Sequence, residues 1–176
     1  MGIGPTKGPT MSHDPQIQAR AAQHYAAIPA TVAMDGISAA VDDALPALFG
    51  WLASEGIAPA GAPLIRYLVI DMAGELQIEL GVPVAAPVTA SGRIQPGVLP
   101  EGRYAVLRHT GPYDGLVASN AALLHWARKK GIQFDTWDTP QGAAWRCRAE
   151  HYLTNPAEEP DPAKLETDVA FLISQA

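Results

Sequence analysis

A register of 75 residues runs through the chain and limits it to folds that contain one unit twice. Trp51, Gly56 and Ile57 recur as Trp126, Gly131 and Ile132. The same offset carries Gly36 onto Gly111, Val41 onto Leu116, Leu48 onto Leu123 and Phe49 onto Leu124. Chance supplies one or two such matches, hardly seven in one register. Two copies are too few to stack as a solenoid. A chain of 176 residues makes one domain of ordinary size with a sizeable core, so the copies share it.

Each copy reads as β-α-β-β. Residues 28–34 precede Gly36, and residues 103–110 precede Gly111. The second run alternates and is bounded by Pro100 and Pro112, as a strand is. Pro29 lacks a ladder donor, which predicts an edge or a bulge in the first. Residues 16–22 alternate as Ile17, Ala19 and Ala21 and extend that strand. Ile37, Val41, Leu45, Leu48 and Leu52 then share one helix face, with Ser38 as N-cap and Gly56 as stop. Pro46 either kinks this helix or moves its start. Leu116, Leu123, Leu124 and Ala127 form the second helix's stripe, with Arg128, Lys129 and Lys130 at its negative end and Gly131 closing it.

Further strands are predicted at 64–71 and 75–84, and at 144–154 and 166–173. Repeat one thus spans 16–84, a linker 85–102 and repeat two 103–174, inside a single domain of residues 13–176. Residues 1–12 read as a disordered N-terminal segment, with residues 1–10 a cloning remnant ahead of a natural start at Met11. The expected fold is α+β: a tandem pseudo-twofold repeat of two β-α-β-β units, with a largely antiparallel sheet and helices on one face.

Charge and composition remove several classes of function. Twelve Lys and Arg stand against 18 Asp and Glu, a net charge of -6, which argues against a broad nucleic-acid surface. No apolar run approaches the ~20 residues of a membrane-spanning helix. Cys147 is the single cysteine, so an internal disulfide and cysteine-rich zinc sites are excluded and a reducing cytoplasm is expected. His13, His24, His109, His125 and His151 show no ligand spacing. No metal and no cofactor is expected. Motifs for phosphate loops, dinucleotides and serine nucleophiles do not occur.

Chemistry concentrates on one strand. Alternation places Arg146, Arg148, Glu150 and Tyr152 on one face, and Trp145, Cys147, Ala149 and His151 on the other. The second set reads as the side packed on the helices, so Glu150 faces away from them. On a solvated face Glu150 is a surface partner of Arg148. Under a curved sheet it becomes a lone carboxylate among aromatic rings.

Pro100-Glu101-Gly102-Arg103-Tyr104-Ala105-Val106 is followed by Gly111-Pro112-Tyr113, Trp126 and Gly131. Glu150-His151-Tyr152-Leu153-Thr154-Asn155-Pro156 and Glu166-Thr167-Asp168-Val169 come later. This order, over about residues 15–174, resembles the GyrI-like small-molecule-binding domains, the effector-binding domains of bacterial multidrug-sensing transcription activators. The resemblance implies a ligand groove at the seam of the two repeats. It also implies a buried glutamate matching Glu150, with Tyr104, Tyr113 and Tyr152 as aromatic ligand-binding groups and Trp126 as a further candidate. Activators of that family carry a helix-turn-helix segment ahead of this domain. Only some fifteen residues precede the first strand here, so the expectation is a stand-alone member without direct DNA binding.

Three functions follow as expectations. The first is binding of amphipathic or cationic aromatic small molecules, since a desolvated carboxylate favours a cation and tyrosine faces stack on flat rings. Drug sequestration or antibiotic self-resistance would suit such a pocket. The second is a GyrI-like hydrolase opening cyclopropane-type genotoxins, with Glu150 as base and Tyr152 as hydroxyl donor. The third is a protein-interaction role such as gyrase inhibition, for which residues 157–161 are the candidate acidic patch. The sequence leaves a homodimer open.

Overall fold

The computed structural model describes residues 11–12 and 14–175. Its elements are β1 (Met11–Ser12), β2 (Gln16–Arg20), β3 (Gln23–Val32), α1 (Ile37–Ser54), β4 (Leu64–Ile70), β5 (Leu76–Pro83), β6 (Gln95–Leu99), β7 (Gly102–Thr110), α2 (Leu116–Lys129), β8 (Thr136–Thr139), β9 (Gly142–Trp145), β10 (Arg148–Tyr152) and β11 (Glu166–Leu172). All pairings are antiparallel, and the main strand order is β1-β7-β11-β10-β4-β5-β3-β6. No helix among the described residues is long and apolar enough to cross a membrane.

Connection lengths force this sheet to curl. β6 and β7 lie six strand spacings apart in the order, which is roughly 29 Å across a flat sheet. Yet only Pro100 and Glu101 join them, a reach of about 11 Å. Ala21 and Ala22 make the same jump from β2, beside β7, to β3, beside β6. The edges must therefore approach each other. Leu99 at the end of β6 shares one buried cluster with Tyr104 and Val106 of β7.

Residues 16–22 thus do not extend the first strand, because the chain changes sheet edge at Ala21–Ala22. The expected linker holds a strand of its own, β6, and Met11–Ser12, expected in the disordered segment, pair with Thr110 and His109. Residues 1–10, the rest of that segment, lie outside the described residues. Pro29 sits beyond Ala27, where pairing with β6 ends, so its missing N–H costs the ladder nothing.

Both helices lie on one face of the sheet. α1 packs through Ala44, Leu48 and Leu52 on Ile28, Leu80 and their neighbours, and α2 packs through Leu116 and Leu123 on Leu107 and Val169. α1 starts at Ile37 without a side-chain cap, so Ser38 is not the N-cap, and it runs through Pro46 at an exposed position. The two helices end alike. Gly56 at φ 67° and Gly131 at φ 70° follow them, while the Ile57 and Ile132 amides reach back to the Leu52 and Ala127 carbonyls. Their starts differ: Asp35-Gly36 and Asp114-Gly115, 79 residues apart, each close a 3-10 turn, because α1 has 18 residues and α2 has 14. Gly36 and Gly111 are therefore not corresponding positions.

Two glycines with opposite roles give a paired test. Gly131→Ala should lower stability by about 1–2 kcal/mol, because an L side chain resists the left-handed region. Gly50→Ala, inside α1 where an added methyl meets nothing within 4 Å, should raise it by roughly 0.5–1 kcal/mol. Urea denaturation of the two variants reads both signs.

The face away from the helices carries Tyr25, Leu64, Tyr104, Cys147 and Ala170. It also holds His151, whose ring lies 3.5 Å from an Arg20 nitrogen. Burial, and then the Arg20 charge, push His151 down to about 4 from an ordinary 6.5. A depressed value means the unfolded chain takes the proton first. Stability should thus be full above pH 6.5 and fall as the pH drops towards 4, by about 1–2 kcal/mol from this group. Melting curves of wild type and His151→Gln over that window should converge as the pH falls.

Candidate functional site

The site begins with a break in alternation. Between β9 and β10 the chain leaves strand geometry at Arg146–Cys147, and the pleat is interrupted there. Trp145 therefore shares the helix side with Arg148, Glu150 and Tyr152, while Cys147, Ala149 and His151 face the other way. This reverses the sequence expectation: Glu150 points under the helices, not away from them. Strict alternation through 145–152 would have been needed for the other result.

Register then fixes what surrounds it. Across the sheet Glu150 stands in one row with Leu107, Val169, Ile65, Leu80 and Ile28. It is a single carboxylate in a line of aliphatic side chains, and it is 5% exposed. α1 covers β3 and β5, and α2 covers β7 and β11, so β10 and β4 lie below the gap between the helices.

Three donors converge on the carboxylate. The Tyr67 and Tyr152 hydroxyls donate to Oε1 at 2.7 and 2.8 Å, and Asn120 Nδ2 donates to Oε2 at 2.9 Å. Asn120 lies inside α2, where asparagine is a poor helix former, and both of its amide donors are used. Nδ2 also donates to the Leu116 carbonyl, and Oδ1 accepts from Arg148 Nη2 at 3.1 Å. The relay runs one way, from Arg148 through Asn120 to Glu150, and ends on a group that only accepts.

Arg148 is held by rings. Its guanidinium carbon lies 4.7 Å from the Trp145 centroid and 4.4 Å from that of Phe171, and Nε has no hydrogen-bond partner. Burial lowers its pKa to about 10, so it is still charged at neutral pH. Burial, and then the Glu150 charge, push the Tyr67 and Tyr152 phenols well above their ordinary range. These hydroxyls keep their protons and donate. Glu150 is consequently not the lone carboxylate that the sequence suggested.

Tyr113 borders the site through Tyr152. It is 39% exposed and meets Tyr152 edge to face, with centroids 5.6 Å apart. A buried histidine fixes its turn: His109 bonds the Pro112 carbonyl through Nε2 and Ser119 through Nδ1. Val117, 63% exposed, lies three residues before Asn120 on α2.

Among the residues expected at the site, Glu150, Tyr152 and Tyr113 come together. Tyr104 does not: it lies on the opposite face of the sheet, where its hydroxyl donates to the Pro100 carbonyl. Trp126 packs beside the α2 cluster and falls within roughly 20° of Ser119 around the helix, about 120° from Asn120. It belongs to the flank facing His109. Tyr67, Asn120 and Arg148 are the additions. Alternation had put Arg148 on the face of Glu150, and a mid-helix asparagine is a signal in itself; Tyr67 depends on the pairing of β10 with β4. The acidic residues 157–161 form a turn that bonds itself, Asn155 and Glu159 accepting from the Ala157 and Asp161 amides.

Fold and site together define a class: an α+β domain with a curled antiparallel sheet and a polar centre beneath the gap between two helices. The family model of the GyrI-like small molecule binding domain matches residues 13–174, and the chain belongs to that family. No curated protein matches it. Among solved structures, the EcmrR C-terminal domain is similar at a TM-score of 0.75 and 15% identity, covering 93% of this chain and 98% of that one. EcmrR in its DNA complex aligns at 0.77 and 15% identity, over 93% of this chain and 58% of that one. The present chain therefore spans little more than half of that subunit. SAV2435 bound to tetraphenylphosphonium gives 0.60 at 11% identity, with 93% and 95% covered. A hydrolase from Listeria innocua gives 0.61 at 18% identity, with 91% of each chain covered.

Proposed function

We propose that the chain binds amphipathic aromatic small molecules in the gap between α1 and α2, above Glu150. One observation carries this reading: a buried carboxylate sits in a row of aliphatic residues, yet tyrosine and asparagine donors hold it in place. Nothing in a purely structural core requires a charge there, since burying one is costly even when it is paired. Tyr113 and Tyr152 offer ring faces and edges beside it, which suits flat aromatic ligands. Sequestration of such compounds, or self-resistance to them, is the use that fits a site of this kind.

A hydrolase is the second reading, favoured by two hydroxyls on one carboxylate. There Glu150 would take a proton from water while a tyrosine hydroxyl donates to the oxygen that gains charge. Tyr67 and Tyr152 hold their protons strongly and so act as hydrogen-bond donors, a role that either reading uses.

A thermal-shift panel of planar aromatic compounds tests the reading on wild type and Tyr113→Ala. Compounds that raise the melting temperature should bind about 5- to 10-fold more weakly to the variant, the scale of one aromatic contact. A panel without a single hit, or hits indifferent to Tyr113, would sink it. Mass spectrometry of the recovered hits separates binder from hydrolase, because only the latter returns a hydrated product.

A further inference from the structure

The charge that surrounds Glu150 says what kind of aromatic molecule the groove prefers, given that it binds one. Arg148 is fixed between the Trp145 and Phe171 rings and joined to Glu150 through Asn120. The guanidinium has little freedom to swing out to solvent. A ligand entering above Glu150 therefore meets a carboxylate and a guanidinium together, whose charges sum to zero. A permanent cation would gain from the first and lose to the second. Glu150 also has acceptor capacity left. Oε1 takes two donors and Oε2 takes one, against about two for each carboxylate oxygen.

We propose that Arg148 sets the charge preference of this groove, and that the ligand is an uncharged aromatic molecule donating one N–H or O–H to Oε2 of Glu150. The inference rests on the binding reading and gives it a substrate class. Removing Arg148 should turn the groove into a cation site, because the carboxylate would then stand uncompensated. The expected gain for a permanent cation is 10- to 100-fold, the scale of one unit charge several ångströms away in a partly buried site, roughly.

Three planar tricycles of similar outline separate the parts: acridone, uncharged with an N–H donor; N-methylacridone, uncharged without it; and N-methylacridinium, a permanent cation. Fluorescence titration of the wild type should rank acridone first, N-methylacridone about 5-fold weaker and N-methylacridinium at least about 10-fold weaker. In Arg148→Gln the cation should gain about 10- to 100-fold relative to acridone. Arg148→Lys should keep the wild-type order. A wild type that prefers N-methylacridinium, or an Arg148→Gln protein with an unchanged ratio, overturns the inference while leaving the binding reading in place. Failure of all three to bind overturns both. Should Arg148→Gln not fold, the wild-type ranking decides alone.

Discussion

Replacing Glu150 with glutamine should cost about 2–4 kcal/mol of stability and most of the ligand affinity, although the two side chains have the same shape. The reason is the direction of the relay. Asn120 presents Nδ2 to Oε2 and Oδ1 to Arg148. A glutamine that keeps both tyrosine hydroxyls on its oxygen turns its own NH2 towards the Asn120 NH2. Flipping Asn120 only moves the conflict to Arg148, and it also gives up the bond to the Leu116 carbonyl. One donor is left unpaired, worth about 1–3 kcal/mol, and a buried guanidinium loses its counter-charge. A double-mutant cycle with Arg148→Met should show a coupling of at least about 1 kcal/mol, because both residues meet at one asparagine. For a bound donor the loss of charge should weaken affinity by roughly tenfold or more. If the groove is instead hydrolytic, turnover should fall by at least ~100-fold. Chemical denaturation and ligand titration of the same preparations read both effects.

Phe171→Ala should cost about 3–5 kcal/mol, the range of a fully buried phenylalanine truncated to a methyl. Phe171 is 0% exposed, with the Phe134 and Trp145 centroids each 5.3 Å away. Truncation leaves a cavity and also removes one of the two rings that hold Arg148. The loss should thus spread to the site, loosening Asn120 and weakening ligand binding as well as lowering the melting temperature. Phe171→Leu fills more of the space and should cost about half as much, yet it also removes the ring face. A leucine variant that loses less stability than the alanine variant but as much binding would separate packing from the hold on Arg148.

Local signals in the sequence carried the element types well. The amphipathic stripes of α1 and α2 and the left-handed glycines that end them are written in residue spacing. The hairpin of β4 and β5 is equally local. What escaped depends on distant partners. Residues 16–22 alternate like one strand, but two alanines carry the chain between sheet edges, and only the curl of the sheet makes that jump short. Within 85–102 nothing distinguishes a linker from β6 except the pairing with β3. At the site the error has one cause. The break at Arg146–Cys147 flips every later side chain relative to Trp145, since the period of a strand is two. Glu150 and Tyr152 were legible as candidates because they stand two apart on one strand. Tyr104 was misplaced because motif order says nothing about which face a tyrosine takes. Tyr67 was missed because β4 meets β10 across more than eighty residues.

Titration of the 15N-labelled wild type with acridone, followed residue by residue in 15N-edited spectra, tests the binding site most directly. Saturable shifts should centre on the Asn120 side-chain amide and the backbone amides of Tyr113, Val117 and Glu150, all fitting one dissociation constant. Shifts centred instead on Tyr25, Tyr104 and Cys147 across the sheet, or on Arg103 and Gly131 to Gln133 at its end, would contradict a ligand groove between the helices.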